Sequence, residues 1–110
     1  MDNRLIEKLK CLDESMARTH KKITQDNLNE IQTDQALNLL HSQYKDCLTI
    51  LSLLGEEFVY RFRYAILSEI EALLVKSNFF NKTTGQVGII KWHFKRCHFF
   101  VKKKISEEIN

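Results

Sequence analysis

Between Lys91 and Lys104 the chain reads Lys-Trp-His-Phe-Lys-Arg-Cys-His-Phe-Phe-Val-Lys-Lys-Lys, which places six basic side chains, two histidines and four aromatic rings in one short segment. Cations at this density can neutralise phosphates and release their counterions, and neighbouring rings offer flat faces on which bases stack. The candidate nucleic-acid contacts are therefore Lys91, Lys95, Arg96, Lys102, Lys103 and Lys104, with Trp92 and Phe99 as candidate interface residues. Residues 1–90 hold 11 basic and 12 acidic side chains, 91–104 hold six and none, and 105–110 hold none and two. The net charge of +3 is thus confined to one segment, which points to nucleic acid or an acidic protein surface as the partner.

The same segment carries His93, Cys97 and His98. One helical turn separates His93 from Cys97, a spacing that zinc-binding pairs use. A structural zinc site needs four ligands, and Cys11, His20, His41 and Cys47 are scattered with no second close pair, so no metal and no other cofactor is expected. A nucleophilic Cys97 would need an activating base, yet His98 follows it directly and on a helix points about 100° away. Glu69 and Glu71 fall on different helix faces and form no acid–base pair by spacing. The expectation is a protein that is not an enzyme and takes no small-molecule substrate.

Three cysteines, odd in number and far apart, read as reduced thiols in a chain whose first residues are charged where an export signal needs an apolar core. That pattern suggests a cytoplasmic protein. No apolar run approaches the roughly 20 residues of a membrane span.

The elements that must position this segment are helices. Proline is absent and glycine occurs three times, so few positions force a break. Leu5, Leu9, Leu12 and Met16, with Ile6 beside them, form one apolar stripe on a helix expected over residues 2–22. A polar stretch from Thr24 to Glu30 then favours a turn or a cap. The second helix is expected to be capped by Thr33 or Asp34. It would run through Leu37, Leu40, Tyr44, Cys47, Leu51 and Leu54 and stop at Gly55, with Leu39, Leu48, Ile50 and Leu53 widening its apolar face. A third helix is expected from Glu56 to about Ser77, lined by Val59, Phe62, Ile66, Ile70 and Leu73, and then a loop over residues 79–88. The fourth spans roughly Val87 to Ile105 with the seam Val87, Ile90, Phe94, Cys97, Val101 and Ile105. Lys91, Lys95, His98 and Lys102 project as a separate stripe about 100° from that seam.

These spacings predict one all-α domain over residues 1–110, an irregular bundle of three to four helices in which residues 1–22 could pack separately. The alternative is an α+β fold with a small antiparallel hairpin from 58–64 and 89–95, because both runs also alternate with a period of two. The three-four pattern continues through both runs and favours helix. One small bundle cannot cover all the apolar surface of the second and fourth helices, so a homo-oligomer is expected.

Gly85-Gln-Val-Gly88 resembles the backbone-clamping loop of KH domains, whose fold needs further strands, whereas the 22 residues after Gly88 are patterned as helix. Residues 81–96 resemble the helix-turn-helix end of Fis-type bacterial regulators, with too short a span between Asn81 and Gly88 for the first helix of the pair. Neither resemblance assigns a family. The sequence supports a small regulatory binding protein that contacts nucleic acid through a basic, aromatic C-terminal helix. The alternative is a protein–protein module (an adaptor, a chaperone or an inhibitor of a larger complex) that uses its aromatic and leucine-rich faces.

Overall fold

A computed structural model describes residues 3–55, 68, 72 and 86–109. Three helices pack together: α1 (Asn3–Gln25), α2 (Glu30–Leu53) and α3 (Gln86–Ile109). Among the described residues there is no strand, and the architecture is an all-α bundle. The hairpin alternative fails at its second half, since 89–95 lies wholly inside α3. Ile90, Cys97 and Val101 are all buried, a three-four repeat that a strand would divide between two faces. The other half of that hairpin (58–64), the expected third helix apart from residues 68 and 72, and residues 79–85 of the expected loop lie outside the described residues.

α1 buries Ile6, Leu9, Asp13, Met16, Thr19 and Ile23, a stripe in steps of three and four. Its centre differs from the one that leucine spacing suggests: Leu5 and Leu12 are half-buried flanks, and Asp13 occupies the inward line between Leu9 and Met16. The helix also runs to Gln25 rather than ending near Lys22. Thr24 is retained in it by a hydrogen bond from its Oγ1 to the His20 carbonyl at 2.9 Å. The buried Thr19 satisfies its hydroxyl the same way, on the Ser15 carbonyl at 3.0 Å.

α2 begins earlier than Thr33. Asn29 is its N-cap: its Oδ1 accepts from the Gln32 backbone N–H at 2.8 Å, and the Gln32 side chain accepts from the Asn29 N–H at 3.1 Å. This reciprocal box satisfies two amides that a helix start leaves without partners. Thr33, expected as a cap, is instead a buried interior residue whose hydroxyl donates to the Asn29 carbonyl at 2.8 Å. Leu37, Leu40, Tyr44, Cys47 and Leu51 are fully buried, with Leu48 and Ile50 beside them. Leu39 and Leu53 do not widen that face; both are exposed, as is Ile31.

The short connection at 26–29 folds α1 and α2 into an antiparallel hairpin. α3 also runs antiparallel to α1: His20 meets Phe94 at one level, and Asp13 meets His98 at the next. α2 and α3 are consequently parallel, and they touch each other far less than either touches α1. No described helix is long and apolar enough to cross a membrane.

Two glycines have opposite roles. Gly55 ends α2 with φ +90°, the left-handed region that costs a residue with a Cβ, and nothing lies within 4 Å of where that Cβ would sit. Gly88 lies inside the first turn of α3 rather than in a loop, with equally open space around it. Gly55→Ala should therefore destabilise the fold by about 1 kcal/mol through backbone strain alone. Gly88→Ala should stabilise it by up to about 1 kcal/mol through helix propensity. Urea denaturation of both variants tests the contrast in sign.

Candidate functional site

The inner line of α3 consists of Ile90, His93, Cys97 and Val101, all buried, with Phe94 and Ile105 half-buried beside them. At 3.6 residues per turn the opposite side of the rod carries Trp92 and Phe99, seven residues apart. These two rings are 51% and 62% exposed, so they form a ridge facing water. Lys91, Lys95 and Lys102 run along one flank of that ridge and are exposed; Lys103, exposed, and Arg96, half-buried, lie along the other. The cations thus border the aromatics on both sides, rather than forming a single stripe beside them.

The Arg96 guanidinium sits over the Trp92 ring at 4.4 Å from its centre, one turn along the helix. This cation–π contact holds the indole against the helix and draws the arginine into the ridge. Between Trp92 and Phe99, with Lys95, Arg96 and Phe100 completing the walls, lies a shallow groove of about 440 Å³. Phe99 and Phe100 meet edge to face at 5.7 Å, which sets the angle of the groove's far end. From residue 86 to 106 the helix carries no acidic side chain. Among the described residues no carboxylate pairs with Lys91, Lys95, Lys102 or Lys103.

Two residues expected in the cationic set are elsewhere. Lys104 falls on the inward half of the rod, near the angular position of His93 and Cys97, and is half-buried. His98, placed in the lysine stripe by spacing, turns toward α1, where its Nδ1 lies 2.9 Å from Asp13 Oδ1. A carboxylate oxygen accepts, so the ring nitrogen donates. His93 and Cys97 share the inward line, and Cys97 meets another thiol, Cys47, at 3.6 Å. Among the described residues no group of three or more metal-ligating side chains forms.

Sequence spacing missed the residues that aim the ridge. His20 of α1 stacks on Phe94 at 4.6 Å with ring planes 17° apart, and Phe94 stacks in turn on His98 at 5.5 Å and 16°. Asp13 terminates this ladder through His98. Asp13 is 8% exposed, so its carboxylate is placed inside deliberately by Leu9 and Met16 on either side of it. The one signal available in the sequence was a polar residue at positions i+4 and i−3 from two core residues.

Burial, reinforced by the nearby Lys91 ammonium, holds the His20 pKa below its ordinary value of 6.5. Tyr44, buried in the core with its hydroxyl lacking a hydrogen-bond partner among the described residues, has its pKa pushed up by the same loss of water and by the adjacent thiols of Cys97 and Cys47.

No family model matches this chain, and no curated protein or solved structure is significantly similar to it.

Asp13→Ala and His98→Ala should each cost about 1–3 kcal/mol, and the double variant should cost much less than their sum, because each single change orphans the other partner. A chemical-denaturation double-mutant cycle measures this directly. His20 adds a pH signature. The unfolded chain takes up a proton at this residue as pH falls through 6.5, while the folded chain resists until a lower value. Stability contributed by neutral His20 is therefore present above 6.5 and lost as pH falls below it. The stability difference between wild type and His20→Gln should shrink or reverse from pH 7.5 to about 5, read by thermal melts across that range.

Proposed function

We propose that this is a small, non-enzymatic binding protein whose α3 ridge takes single-stranded nucleic acid. The observation that carries the reading is the placement of outward-facing Trp92 and Phe99 between two rows of cations on a helix face without carboxylates. Unpaired bases have exposed π-faces for which such rings are stacking platforms, while the flanking Lys91, Lys95, Lys102, Lys103 and Arg96 can follow the phosphates. A duplex hides those faces and offers the ridge only its backbone charge. A cytoplasmic, regulatory role belongs to the same proposal.

A second reading has its own support in the apolar groove between Trp92, Phe99 and Phe100, which could accept an acidic, apolar segment of another protein. The self-association suggested by the sequence would use the exposed Ile31, Leu39 and Leu53 of α2, away from the ridge.

Fluorescence anisotropy with labelled single-stranded and duplex oligonucleotides tests the proposal. Single strands should bind more tightly than duplexes of equal length, and affinity should fall by about a hundredfold between about 50 and about 200 mM salt. Trp92→Ala should weaken binding by at least about fivefold through lost stacking. Lys95→Ala should reduce the salt dependence, whereas Lys104→Ala should change little. Absence of any anisotropy change at low salt sinks the nucleic-acid reading. Capture of an acidic protein segment that survives Lys95→Ala but not Trp92→Ala would favour the second.

A further inference from the structure

α2 and α3 meet at a pair of thiols. Cys47 Sγ and Cys97 Sγ lie 3.6 Å apart, in van der Waals contact and sharing a weak S–H hydrogen bond, and both side chains are buried. They are 50 positions apart in sequence and come from helices that otherwise touch sparingly. A disulfide requires the two sulfurs to approach to about 2.05 Å. From thiol contact this needs the two sulfurs to close by about 1.5 Å, between helices that are otherwise loosely joined. The third cysteine, Cys11, is exposed on α1 and has no cysteine beside it among the described residues.

We propose that Cys47 and Cys97 are a redox-active pair, closed by a hydroperoxide into a disulfide that clamps α3, and with it the ridge, to α2. The oxidant is hydrogen peroxide or another small hydroperoxide, a size suited to side chains that are buried in the bundle. In the first step one sulfur attacks the peroxide, the O–O bond breaks, the sulfur becomes a sulfenic acid and one water leaves. In the second, the other thiol attacks that sulfenic sulfur, the S–O bond breaks, the S–S bond forms and a second water leaves. Two thiols are thus oxidised by two electrons, and one peroxide is reduced to two waters. A sulfenic acid formed with a thiol already in contact is resolved before a second peroxide can take it to the irreversible sulfinic acid. The S–H hydrogen bond that Cys47 donates to Cys97, together with burial, favours the protonated form of Cys47, so attack on the peroxide passes through a minor thiolate and the pair closes slowly.

The closed bridge has a consequence for the fold. It would join α2 to α3 directly, where at present α1 mediates most of their association. Closing a loop of 50 residues removes entropy from the unfolded chain, so the oxidised protein should melt higher than the reduced one.

The test uses full-length protein and its Cys11→Ser variant, which removes the exposed thiol and leaves the buried pair. Each is treated with stoichiometric hydrogen peroxide, denatured, alkylated and weighed intact. Wild type should go from three alkylated thiols to one, and the variant from two to none, each with the loss of two hydrogen masses. Proteolysis should yield one cross-linked peptide pair joining Cys47 to Cys97, which a reductant separates. Melting temperature should rise by more than about 5 °C on oxidation and return on reduction. The proposal is overturned if both buried thiols still alkylate, if oxidation produces sulfinic acid instead, or if the only cross-link formed involves Cys11.

Discussion

The contact on which the arrangement depends is the one that α1 makes with α3 through Asp13, His98, Phe94 and His20. Apolar packing alone would hold the two rods together but would tolerate a turn of sliding or some rotation, because one leucine-lined groove resembles the next. A carboxylate 2.9 Å from an imidazole nitrogen tolerates neither. The stacked rings extend that constraint over another turn of both helices, from His98 through Phe94 to His20. Once register and rotation are fixed on the inside, the outside follows: Trp92 and Phe99 must face water, and the lysines must flank them.

The cost of this arrangement is a carboxylate withdrawn from water in a small core. Burying an unpaired carboxylate would be strongly unfavourable, and pairing offsets that loss without making the site a large net source of stability. The contribution of Asp13 is therefore better described as choosing one alignment of α3 than as holding the bundle together. The cohesive work falls to Leu9, Met16, Ile23, Leu37, Leu40, Leu51, Ile90 and Val101, which form one continuous apolar cluster. α1 contributes to both jobs, since Leu9 and Met16 bracket Asp13 on the same inward line.

Much of the secondary structure was legible in the residues because helix formation is governed by spacing within a few turns. The three-four recurrence of Leu37, Leu40, Tyr44, Cys47 and Leu51 marked the buried side of α2, and Gly55 marked its end. α2 starts ahead of Thr33 because an Asn29–Gln32 box satisfies the first amides as well as a threonine would, its asparagine lying in the polar stretch whose side chains favour a turn or a cap. The centre of α1's stripe was misjudged because leucine spacing counts apolar residues only, and the residue on the inward axis is an aspartate. Leu39 and Leu53 read as core by type, yet the neighbours that cover a side chain come from other helices, and both of these side chains are exposed.

What the sequence determined unaided was the helical periodicity and the confinement of net positive charge to residues 91–104, since both depend only on residue order. Tertiary structure decided which of those cations face outward together. It turned His98 inward to Asp13, set Lys104 on the inner half of α3, and brought Cys47 against Cys97 across 50 residues of chain. The physical reason is that a helix fixes angles among its own side chains, while its rotation against neighbours is set by contacts between residues distant in sequence. Among the described residues, the Asp13–His98 pair and the ring stack beside it are contacts of that kind, and they favour one rotation of α3.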